Sequence, residues 1–469
     1  MESNINSKKS YSKLIVLVIC ILVYLGLTNL PTPSGLSANG QKALALMVVA
    51  VITWVSEVIP IGVSSVLLTM LLAALKIVTV KEAMANFMIT TVVFIFAAFI
   101  IAAAFIGTGL GNRISLKVSS LFGNRSDKVL LSFMLPTALI SSVLADIPTA
   151  IIFSGMAYTL LKKNNCMPGK SNFGKSVMMG IPIAAAIGGI GTPAGSGLNL
   201  LAINLIKSSS NVEVNFLQWA AIGFPMAIVL TFVAWYVIKK MYPAEFKTVD
   251  GLSDVKNELK KLGAMTKNEK KFTAIFTVTL ILWFTQPWTK LDTAFVGILT
   301  AAVFFLPGIE LCTWENVKGK IAIDVLFLVG ASNALAMAIV ITKAAVWISN
   351  TFLGGLAGVG IFGLLLAVTA FGIYSHLVIP AGSAVLAIAI PVLAILAQKI
   401  GISPIALTLP VAFTASCVFL MPLDPIPLTT YDYKYWKMWD MIKPGIFISL
   451  AWVLINAVFM YAAQFIGIY

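Results

Sequence analysis

The chain alternates long apolar segments with short polar segments along nearly its whole length of 469 residues. Many of the apolar segments approach or exceed the roughly 20 residues that a helix needs to cross a bilayer. These long unbroken runs exclude a β-barrel, in whose strands apolar and polar positions alternate. The pattern therefore predicts an all-α polytopic membrane protein with about 11 transmembrane helices.

One apolar segment is interrupted by a stretch that runs from Gly188 to Asn199 and contains five glycines and a proline. The apolar runs on either side, 177–187 and 200–206, are each too short to span a bilayer. Together with the glycine-rich stretch they are long enough. The sequence thus predicts one membrane helix, 177–206, that is broken in the middle, and such a break needs protein or a water-filled cavity around it.

Three neutral polar residues lie in this break: Thr192, Ser196 and Asn199. They stand next to the N-terminus of the second half-helix, where donors and acceptors can hold an anion or a small cation inside a membrane protein. The alternative interpretation is a glycine-rich seam for helix packing.

Two other apolar segments contain polar residues in the middle and are predicted to turn back inside the membrane. Segment 129–161 has basic loops before and after it, which places both of its ends on the cytoplasmic face. We therefore expect a re-entrant hairpin with its tip near Asp146. The C-terminal half repeats the arrangement, with a second hairpin at 358–399 and a second broken helix at 403–430, interrupted at 422–427.

These repeated pieces divide the chain into an N-terminal half at 1–240, a cytoplasmic linker at 241–271 and a C-terminal half at 272–469. Helices 1–3 are expected to form a scaffold, and the first repeat covers 89–208. An odd number of predicted crossings separates the repeats, so they should have inverted topology. Inverted repeats with broken helices are typical of secondary transporters.

Composition supports this class, since 59% of the residues are hydrophobic and only 11% are charged, with a mean hydropathy of +0.98. The net charge of +14 is expected mainly in cytoplasmic loops, among them one with Arg113 and Lys117. Charge alone does not indicate a nucleic-acid partner. Lys8, Lys9 and Lys13 precede the first apolar run and no cleavage site follows, which predicts a retained first helix with a cytoplasmic N-terminus in the cell membrane.

Enzymatic chemistry has little support in the sequence. The four cysteines show no ligand spacing, so we expect neither disulfides nor a metal centre, and no cofactor is indicated. The chain has one histidine, no H-E-x-x-H motif and no nucleophile with a base nearby. A channel is the other alternative, but it needs a continuous polar pore, whereas opposed hairpins and broken helices suit occlusion better.

Several stretches resemble one family of membrane carriers. The stretch from Trp54 to Pro60 is similar to the W-x-T-E-A-I-P motif of the divalent-anion/sodium symporter superfamily, which includes the INDY-type di- and tricarboxylate carriers. The stretch from Gly188 to Asn199 is similar to the family's G-G-x-A-T-x-I-G-T-P-P-N loop. The likeness covers nearly the whole chain. Tyr374-Ser375-His376 with Ala381 to Ala384 is closest to the dicarboxylate and citrate exchanger branch.

The resemblance implies a homodimer with a fixed scaffold part and a moving part that carries the substrate by an elevator motion. It also implies C4–C6 di- and tricarboxylate substrates of the succinate, malate and 2-oxoglutarate type. Symporters of the family carry Ser-Asn-Thr at each hairpin tip, where Na⁺ is held. Here the tips read Ala145-Asp146-Ile147 and Ala381-Gly382-Ser383, and Pro425 to Leu428 replaces a second T-P-P-N. These departures favour exchange, with Na⁺- or H⁺-coupled symport as the alternative.

Asp146 and His376 are the two titratable side chains at the predicted tips. An ionised carboxylate at mid-depth costs about 2.5–3.5 kcal/mol, so Asp146 needs a cation or proton, unless it only caps the tip. A protonated His376 could bind a dicarboxylate, although a lone histidine also fits a packed core. The expected substrate-binding residues are Asp146, Ile147, Thr149, Thr192, Ser196, Asn199, Ser375, His376, Gly382, Ser383, Asp424, Pro425 and Pro427. The expected ligands, should Na⁺ bind, are Ser141, Ser142, Asp146, Gly191 and Asn199.

Overall fold

The computed structural model describes residues 2–121, 123–250, 257, 259–352, 358–379, 381–420 and 425–469. Within these ranges it describes side chains except at 2–12, 115, 118–121 and 352. Regular structure in the described ranges is entirely helical, apart from one isolated bridge between Arg125 and Thr248.

The α-helices of the described ranges are, in chain order, α1 (Glu2–Asn29), α2 (Ala38–Ser56), α3 (Ile61–Ala74), α4 (Val80–Phe87), α5 (Thr90–Thr108), α6 (Leu110–Leu121), α7 (Ser126–Ser141), α8 (Asp146–Lys163), α9 (Asn172–Gly189), α10 (Gly197–Ser210), α11 (Phe216–Met241), α12 (Lys267–Phe284), α13 (Gln286–Thr289), α14 (Thr293–Val303), α15 (Trp314–Lys318), α16 (Ile323–Ile341), α17 (Ala344–Phe352), α18 (Ile361–Tyr374), α19 (Gly382–Lys399), α20 (Pro404–Ala412), α21 (Pro425–Tyr431) and α22 (Met438–Phe465). Short 3₁₀ helices lie at Pro193–Gly195 and Ser375–Leu377.

Within the described ranges, six stretches of helix are long and apolar enough to cross a membrane. They are α2, α4 together with α5 (Val80–Thr108), α11, α16, α19 and α22. Four shorter apolar helices accompany them, at Lys13–Asn29, Ile61–Ala74, Thr293–Val303 and Ile361–Leu377. The chain is therefore a multi-pass membrane protein by length and composition, and the number of about 11 crossings stays a prediction.

The chain divides into two compact units, and each draws on both halves of the sequence. The first unit consists of Met1–Val93, Leu201–Glu213 and Ala322–Ala415. The second unit consists of Phe94–Leu200, Val214–Ile321 and Ser416–Tyr469. The division into two inverted repeats with a linker stays a prediction.

In the first unit, α16 packs closely on α3 and α4. Small residues permit this approach, since a Cβ at Gly330 would lie only 2.5 Å from the carbonyl oxygen of Phe87. Buried amides then join the helices, because Asn204 Nδ2 donates to Asn333 Oδ1 at 2.8 Å and Asn333 Nδ2 donates to the Asn86 carbonyl at 2.7 Å. These bonds satisfy polar groups that would otherwise be costly inside an apolar core.

In the second unit, α9 is the central helix, and nearly all of its residues are buried. It packs against α7, α8, α11 and α21. Its glycines allow close contact, and a Cβ at Gly180 would meet the Met134 sulfur at 3.0 Å. A helix that is apolar on all sides and surrounded by other helices is expected to be buried in this way.

Capping residues explain several helix starts. Ser37 accepts from the N–H of Gly40 at 3.0 Å at the start of α2. Asn215 with Gln218 forms a reciprocal capping box at the start of α11. Such caps satisfy N–H groups that have no partner within the helix.

The predicted loop containing Arg113 and Lys117 is wrong, because these residues lie in α6. Gly109, with a φ of +78°, ends α5 and turns the chain into α6. Leu110 and Leu116 are buried on one face of α6, while Lys117 is exposed. The basic side chains signalled a cytoplasmic loop, but the apolar spacing of an amphipathic helix was present as well.

The interruption of the second broken helix begins earlier than predicted. Helix α20 ends at Ala412, about ten residues before the expected interruption at 422–427, of which only 425–427 is described. Pro425 and Pro427 lie inside α21, in its first turn, where proline is tolerated. The remaining described residues between the two helices, from Phe413 to Leu420, are not helical.

Candidate substrate and cation sites

The turn between α7 and α8 presents Asp146 at the first position of α8. This carboxylate is only 6% exposed, and its Oδ1 accepts from the N–H of Ile147 at 2.9 Å. Thr149 Oγ1 donates to the carbonyls of Leu144 at 3.1 Å and Ala145 at 3.0 Å. Thr149 therefore pins the turn, and Asp146 lies at the N-terminal end of α8.

The break between α9 and α10 spans residues 190–196, within the glycine-rich stretch. Its main-chain carbonyls find partners in side chains. Asn199 Nδ2 donates to the carbonyls of Gly189 at 2.7 Å and Thr192 at 2.8 Å, and Trp219 Nε1 donates to the Ile190 carbonyl at 2.8 Å. These bonds supply the polar partners that a helix interruption inside a membrane protein requires.

The turn and the break are joined to each other. Ser141 Oγ donates to the Ala185 carbonyl at 2.6 Å, and Thr192 Oγ1 donates to the Ser142 carbonyl. A Cβ at Gly195 would meet the Ser141 carbonyl oxygen at 2.8 Å and would also clash with the carbonyl oxygen of Gly189. Glycine is therefore required for the two backbones to approach so closely.

Asp146 also faces the end of α9. A Cβ built at Gly189 would lie 3.3 Å from Asp146 Oδ2 and 3.5 Å from the Gly195 carbonyl oxygen. The carboxylate thus lies beside the C-terminal end of α9, where the partial charge is negative. A cation or a proton at this position would relieve the repulsion between the carboxylate and these carbonyl oxygens.

The structure brings together the five residues predicted as Na⁺ ligands: Ser141, Ser142, Asp146, Gly191 and Asn199. The Ser142 hydroxyl donates to the Leu139 carbonyl at 2.7 Å, so both serine oxygens keep lone pairs for a cation. Asn199 uses its Nδ2 as a donor, so Oδ1 is the only side-chain atom of Asn199 that could coordinate a cation. Carboxylate, carbonyl and hydroxyl oxygens form a donor set that suits a hard cation such as Na⁺. The described residues contain no group of three or more His, Cys, Asp or Glu side chains that could hold a metal ion.

Four residues predicted to bind substrate lie in the first unit: Ser375, His376, Gly382 and Ser383. His376 is 1% exposed, its Nδ1 lies 3.3 Å from the Ile379 carbonyl oxygen, and its Nε2 lies 3.2 Å from the Thr414 carbonyl oxygen. Ser375 Oγ donates to the Gly372 carbonyl at 2.9 Å. Both ring nitrogens of His376 therefore face main-chain oxygens, which is the arrangement of a packed core histidine.

Ser383 differs from these residues because its hydroxyl is buried and has no hydrogen-bond partner among the described residues. It is the second residue of α19, directly after Gly382. A buried hydroxyl without a partner is unusual in proteins and indicates a missing acceptor or donor. Its place at the positive end of an 18-residue helix suits a carboxylate.

Two other predicted residues, Pro425 and Pro427, belong to α21 in the second unit, where α21 packs against α8 and α9. Ser196 is 5% exposed and has an extended backbone immediately before α10. Asp424 lies outside the described residues. The structure thus groups the predicted residues into a cluster of the second unit and a separate set in the first unit.

Sequence reasoning named Gly191, whose only ligand atom is its main-chain oxygen, but it missed the carbonyls of Gly189 and Gly195 in this cluster. It also missed Trp219, whose indole holds the break from α11. The glycine spacing was the only signal for the close backbone contact. A main-chain oxygen can belong to any residue type, so residue identity did not reveal it.

A multi-pass helical chain in which a helical turn packs against a broken helix has the architecture of a membrane transporter. The family model for the sodium:sulfate symporter transmembrane region matches residues 10–466. The chain therefore belongs to this family, whose members are transporters and not enzymes.

Similar proteins extend over most of the chain. A membrane protein of Cupriavidus necator is 27% identical over 431 residues, which cover 87% of this chain and 83% of that protein. The sodium-dependent dicarboxylate transporter SdcS of Staphylococcus saprophyticus is 26% identical over 451 residues, covering 91% and 86%. The Staphylococcus aureus SdcS gives the same identity and coverage. The crystal structure of the Alcanivorax borkumensis YdaH transporter matches with a TM-score of 0.56 and 13% identity, over 80% of this chain and 85% of that one, which shows a shared fold only.

Proposed function

We propose that this chain is a secondary transporter of C4–C6 dicarboxylates that couples uptake to Na⁺ at the joined α7–α8 turn and α9–α10 break. The relatives named as sodium-dependent dicarboxylate transporters support both the substrate class and the ion. The resemblance to carboxylate carriers supports the substrate class further.

The observation that carries the coupling ion is the position of Asp146. Its carboxylate lies beside Gly189 at the negative end of α9, where a Cβ added to Gly189 would lie 3.3 Å from Asp146 Oδ2 and 3.5 Å from the Gly195 carbonyl oxygen. An anionic substrate would add to this repulsion, whereas a cation would remove it. We therefore assign the coupling cation to this cluster, with Ser141, Ser142 and the carbonyls of the break as its other oxygen ligands.

Carboxylate binding is assigned to hydroxyl and amide groups at helix N-termini. In the second unit this is Ser196, immediately ahead of α10, because the Thr192 hydroxyl already donates to the Ser142 carbonyl. In the first unit the candidate is Ser383 at the start of α19, whose hydroxyl has no partner in the part of the chain that the structure describes. Positive helix ends that face an anion are the usual way in which broken helices bind carboxylates.

Exchange of one dicarboxylate for another is the second candidate. The predicted site residues of the first unit favour exchange. Both ring nitrogens of His376 face main-chain carbonyl oxygens, and the Ala381-Gly382-Ser383 tip offers few side-chain oxygens to a cation. A single coupling site, or none, would leave the carrier dependent on a counter-substrate. In either case we extend the proposal to a homodimer in the cytoplasmic membrane, with an elevator motion and a cytoplasmic N-terminus.

The test is uptake of radiolabelled succinate by purified protein in proteoliposomes. Vesicles are prepared with or without internal unlabelled succinate, each with and without an inward Na⁺ gradient. The proposal expects uptake into empty vesicles that requires Na⁺. Uptake that requires internal succinate and ignores Na⁺ would establish exchange instead, and no uptake in any condition would refute the substrate class.

The matched pair of variants is Asp146→Asn and Asp432→Asn. Asp432 is an exposed carboxylate in the same unit, outside the cluster. We expect Asp146→Asn to raise the Na⁺ concentration for half-maximal uptake by about ten-fold or more, since a charged ligand is lost. Asp432→Asn should leave it unchanged. An unchanged Na⁺ dependence in Asp146→Asn would remove Asp146 from the coupling site.

A further inference from the structure

A cavity of about 660 Å³ lies in the second unit, away from the cation cluster. It is formed by the starts of α7 and α9, the end of α11 and the segment that follows α11. Its lining is basic and aromatic and includes Arg125, Asp127, Phe173, Lys239, Tyr242 and Lys247. None of these residues takes part in the proposed transport chemistry.

The cavity walls are held by hydrogen bonds. The segment after α11 is pinned to the start of α7, because Ser126 N donates to the Lys247 carbonyl at 3.0 Å. The same segment is pinned to α9 where Ser176 Oγ donates to the Tyr242 carbonyl at 2.8 Å. The rings of Phe173 and Phe246 then pack edge to face with centroids 5.2 Å apart. The cavity is thus a built feature of the fold.

The charges around the cavity are predominantly positive. Asp127 pairs with Arg125 at 3.1 Å and with Lys239 at 3.0 Å, which holds both cations at the cavity. Burial alone would raise the pKa of Asp127, but the hydrogen bonds from Lys239 and Arg125 outweigh it and lower the pKa, so the carboxylate stays ionised. Lys247 is exposed and makes no ion pair with any described residue. Among the lining residues three cations stand against one carboxylate, and the neighbouring Glu245 accepts from the N–H groups of Asn172 and Phe173 at the start of α9. The cavity therefore keeps a net positive charge that suits an anion.

An apolar stripe on α11 leads to this cavity. Val229, Phe232 and Tyr236 are 40%, 43% and 57% exposed, and they follow helical spacing along one face that continues to Lys239. Lys239 also lies 4.7 Å from the ring centroid of Trp235. An apolar face that ends in aromatic and basic residues is typical of the boundary between hydrocarbon and headgroups.

We propose that this cavity binds the phosphate headgroup of an anionic phospholipid, whose acyl chains lie along the exposed stripe of α11. The basic cavity supplies the charge for the phosphate, and the stripe supplies apolar surface that a soluble anion would not use. Basic pockets at the cytoplasmic ends of membrane helices bind such headgroups. The lysine-rich sequence after α11 is predicted to be cytoplasmic, where anionic lipids are abundant.

Native mass spectrometry of the purified full-length chain tests this inference. The probes are phosphatidylglycerol and phosphatidylcholine with the same acyl chains, and glycerol 3-phosphate as the soluble counterpart. Wild-type protein should retain phosphatidylglycerol in preference to phosphatidylcholine, and glycerol 3-phosphate should neither bind stably nor displace the lipid. The double variant Arg125→Gln with Lys247→Gln should lower retained phosphatidylglycerol by about ten-fold or more.

Two control variants separate the cavity from general charge and from misfolding. Lys170→Gln with Lys270→Gln removes the same charge from exposed positions outside the cavity and should change retention by less than about two-fold. The charge-preserving variant Arg125→Lys with Lys247→Arg should retain the lipid. Equal retention in wild type and the cavity variant would overturn the proposal. Tight binding of glycerol 3-phosphate alone, with loss of bound lipid, would show that the ligand is a soluble anion and would overturn it too.

Discussion

Gly62 donates its main-chain N–H to Asp324 Oδ1 at 2.8 Å, and this bond joins the first turn of α3 to the first turn of α16. A Cβ at Gly62 would lie 2.5 Å from the same oxygen. The bend that precedes α3 contains Glu57 in a left-handed conformation, with a φ of +48°, and Pro60. Glu57 is exposed at this bend, and the carboxylate that accepts from the first turn of α3 belongs to Asp324.

Gly62→Ala should destabilise the protein by about 1–3 kcal/mol, because the added carbon displaces the Asp324 carboxylate and breaks the bond. The measurement is thermal unfolding of detergent-purified protein. Gly155→Ala is the control, since a Cβ at Gly155 meets no atom within 4 Å and alanine favours a helix. A Gly62→Ala protein as stable as Gly155→Ala would show that the Asp324 bond contributes nothing.

The ion pair between Arg113 and Glu269 should make stability depend on pH. Arg113 Nε donates to Glu269 Oε1 at 2.8 Å, and both side chains are largely buried. Chiefly through this bond, Arg113 holds the pKa of Glu269 below its ordinary value of 4.5. The unfolded chain therefore takes up the proton first, so the stabilisation is complete well above pH 4.5 and is lost as pH falls through the lowered pKa of the folded protein.

Glu269→Gln should unfold at a lower temperature than wild type at pH 7, by an amount equivalent to about 3 kcal/mol, because the largely buried Arg113 loses its charged partner and keeps only main-chain carbonyls as acceptors. The difference should shrink as the pH falls below 4.5. Glu315→Gln serves as the control, since Glu315 pairs with Lys318 at the exposed surface and should cost under about 1 kcal/mol. If the difference in unfolding temperature between wild type and Glu269→Gln did not change with pH, this would contradict the role of the Glu269 charge.

Gly188 and Gly189 should respond differently to alanine. A Cβ at Gly188 would clash with the main chain of Ala138, which cannot move aside, so Gly188→Ala should fail to accumulate as folded protein. At Gly189 the nearest atom is Asp146 Oδ2 at 3.3 Å. Gly189→Ala should therefore fold, yet raise the Na⁺ concentration for half-maximal succinate uptake by about ten-fold, since the methyl group enters the proposed cation site.

Monodisperse size-exclusion profiles and succinate uptake at varied Na⁺ would check both variants. Gly155→Ala again provides the control for a glycine in an open position. Normal Na⁺ dependence in a folded Gly189→Ala protein would move the cation away from the space between Asp146 and α9.

Local signals explain which parts of the fold the sequence could predict. The glycines and the proline between Gly188 and Asn199 cannot continue a helix easily, and the break lies among them. By contrast, the end of α20 at Ala412 has only one such residue nearby, Pro410, which lies inside the helix. Contacts with residues distant in sequence determine the backbone there, since the Thr414 carbonyl oxygen lies 3.2 Å from His376 Nε2 and the Thr414 side chain packs against Gly372. Side-chain patterns likewise cannot reveal the carbonyl oxygens that surround Asp146.

His376 provides a test of whether the imidazole holds the fold or binds substrate. Both of its nitrogens face carbonyl oxygens, and a neutral imidazole donates one N–H, so His376→Leu should leave either the Ile379 or the Thr414 carbonyl without its donor and cost about 1–3 kcal/mol. His376→Gln keeps one amide donor and should lose less stability. The unfolding temperature and the succinate uptake should both be lowest in His376→Leu, intermediate in His376→Gln and highest in wild type. Ser375→Ala is the neighbouring control, because the Ser375 hydroxyl donates only to the Gly372 carbonyl within its own helix turn. If His376→Leu unfolded like wild type but abolished uptake, the histidine would be a substrate ligand and the packed-core assignment would be wrong.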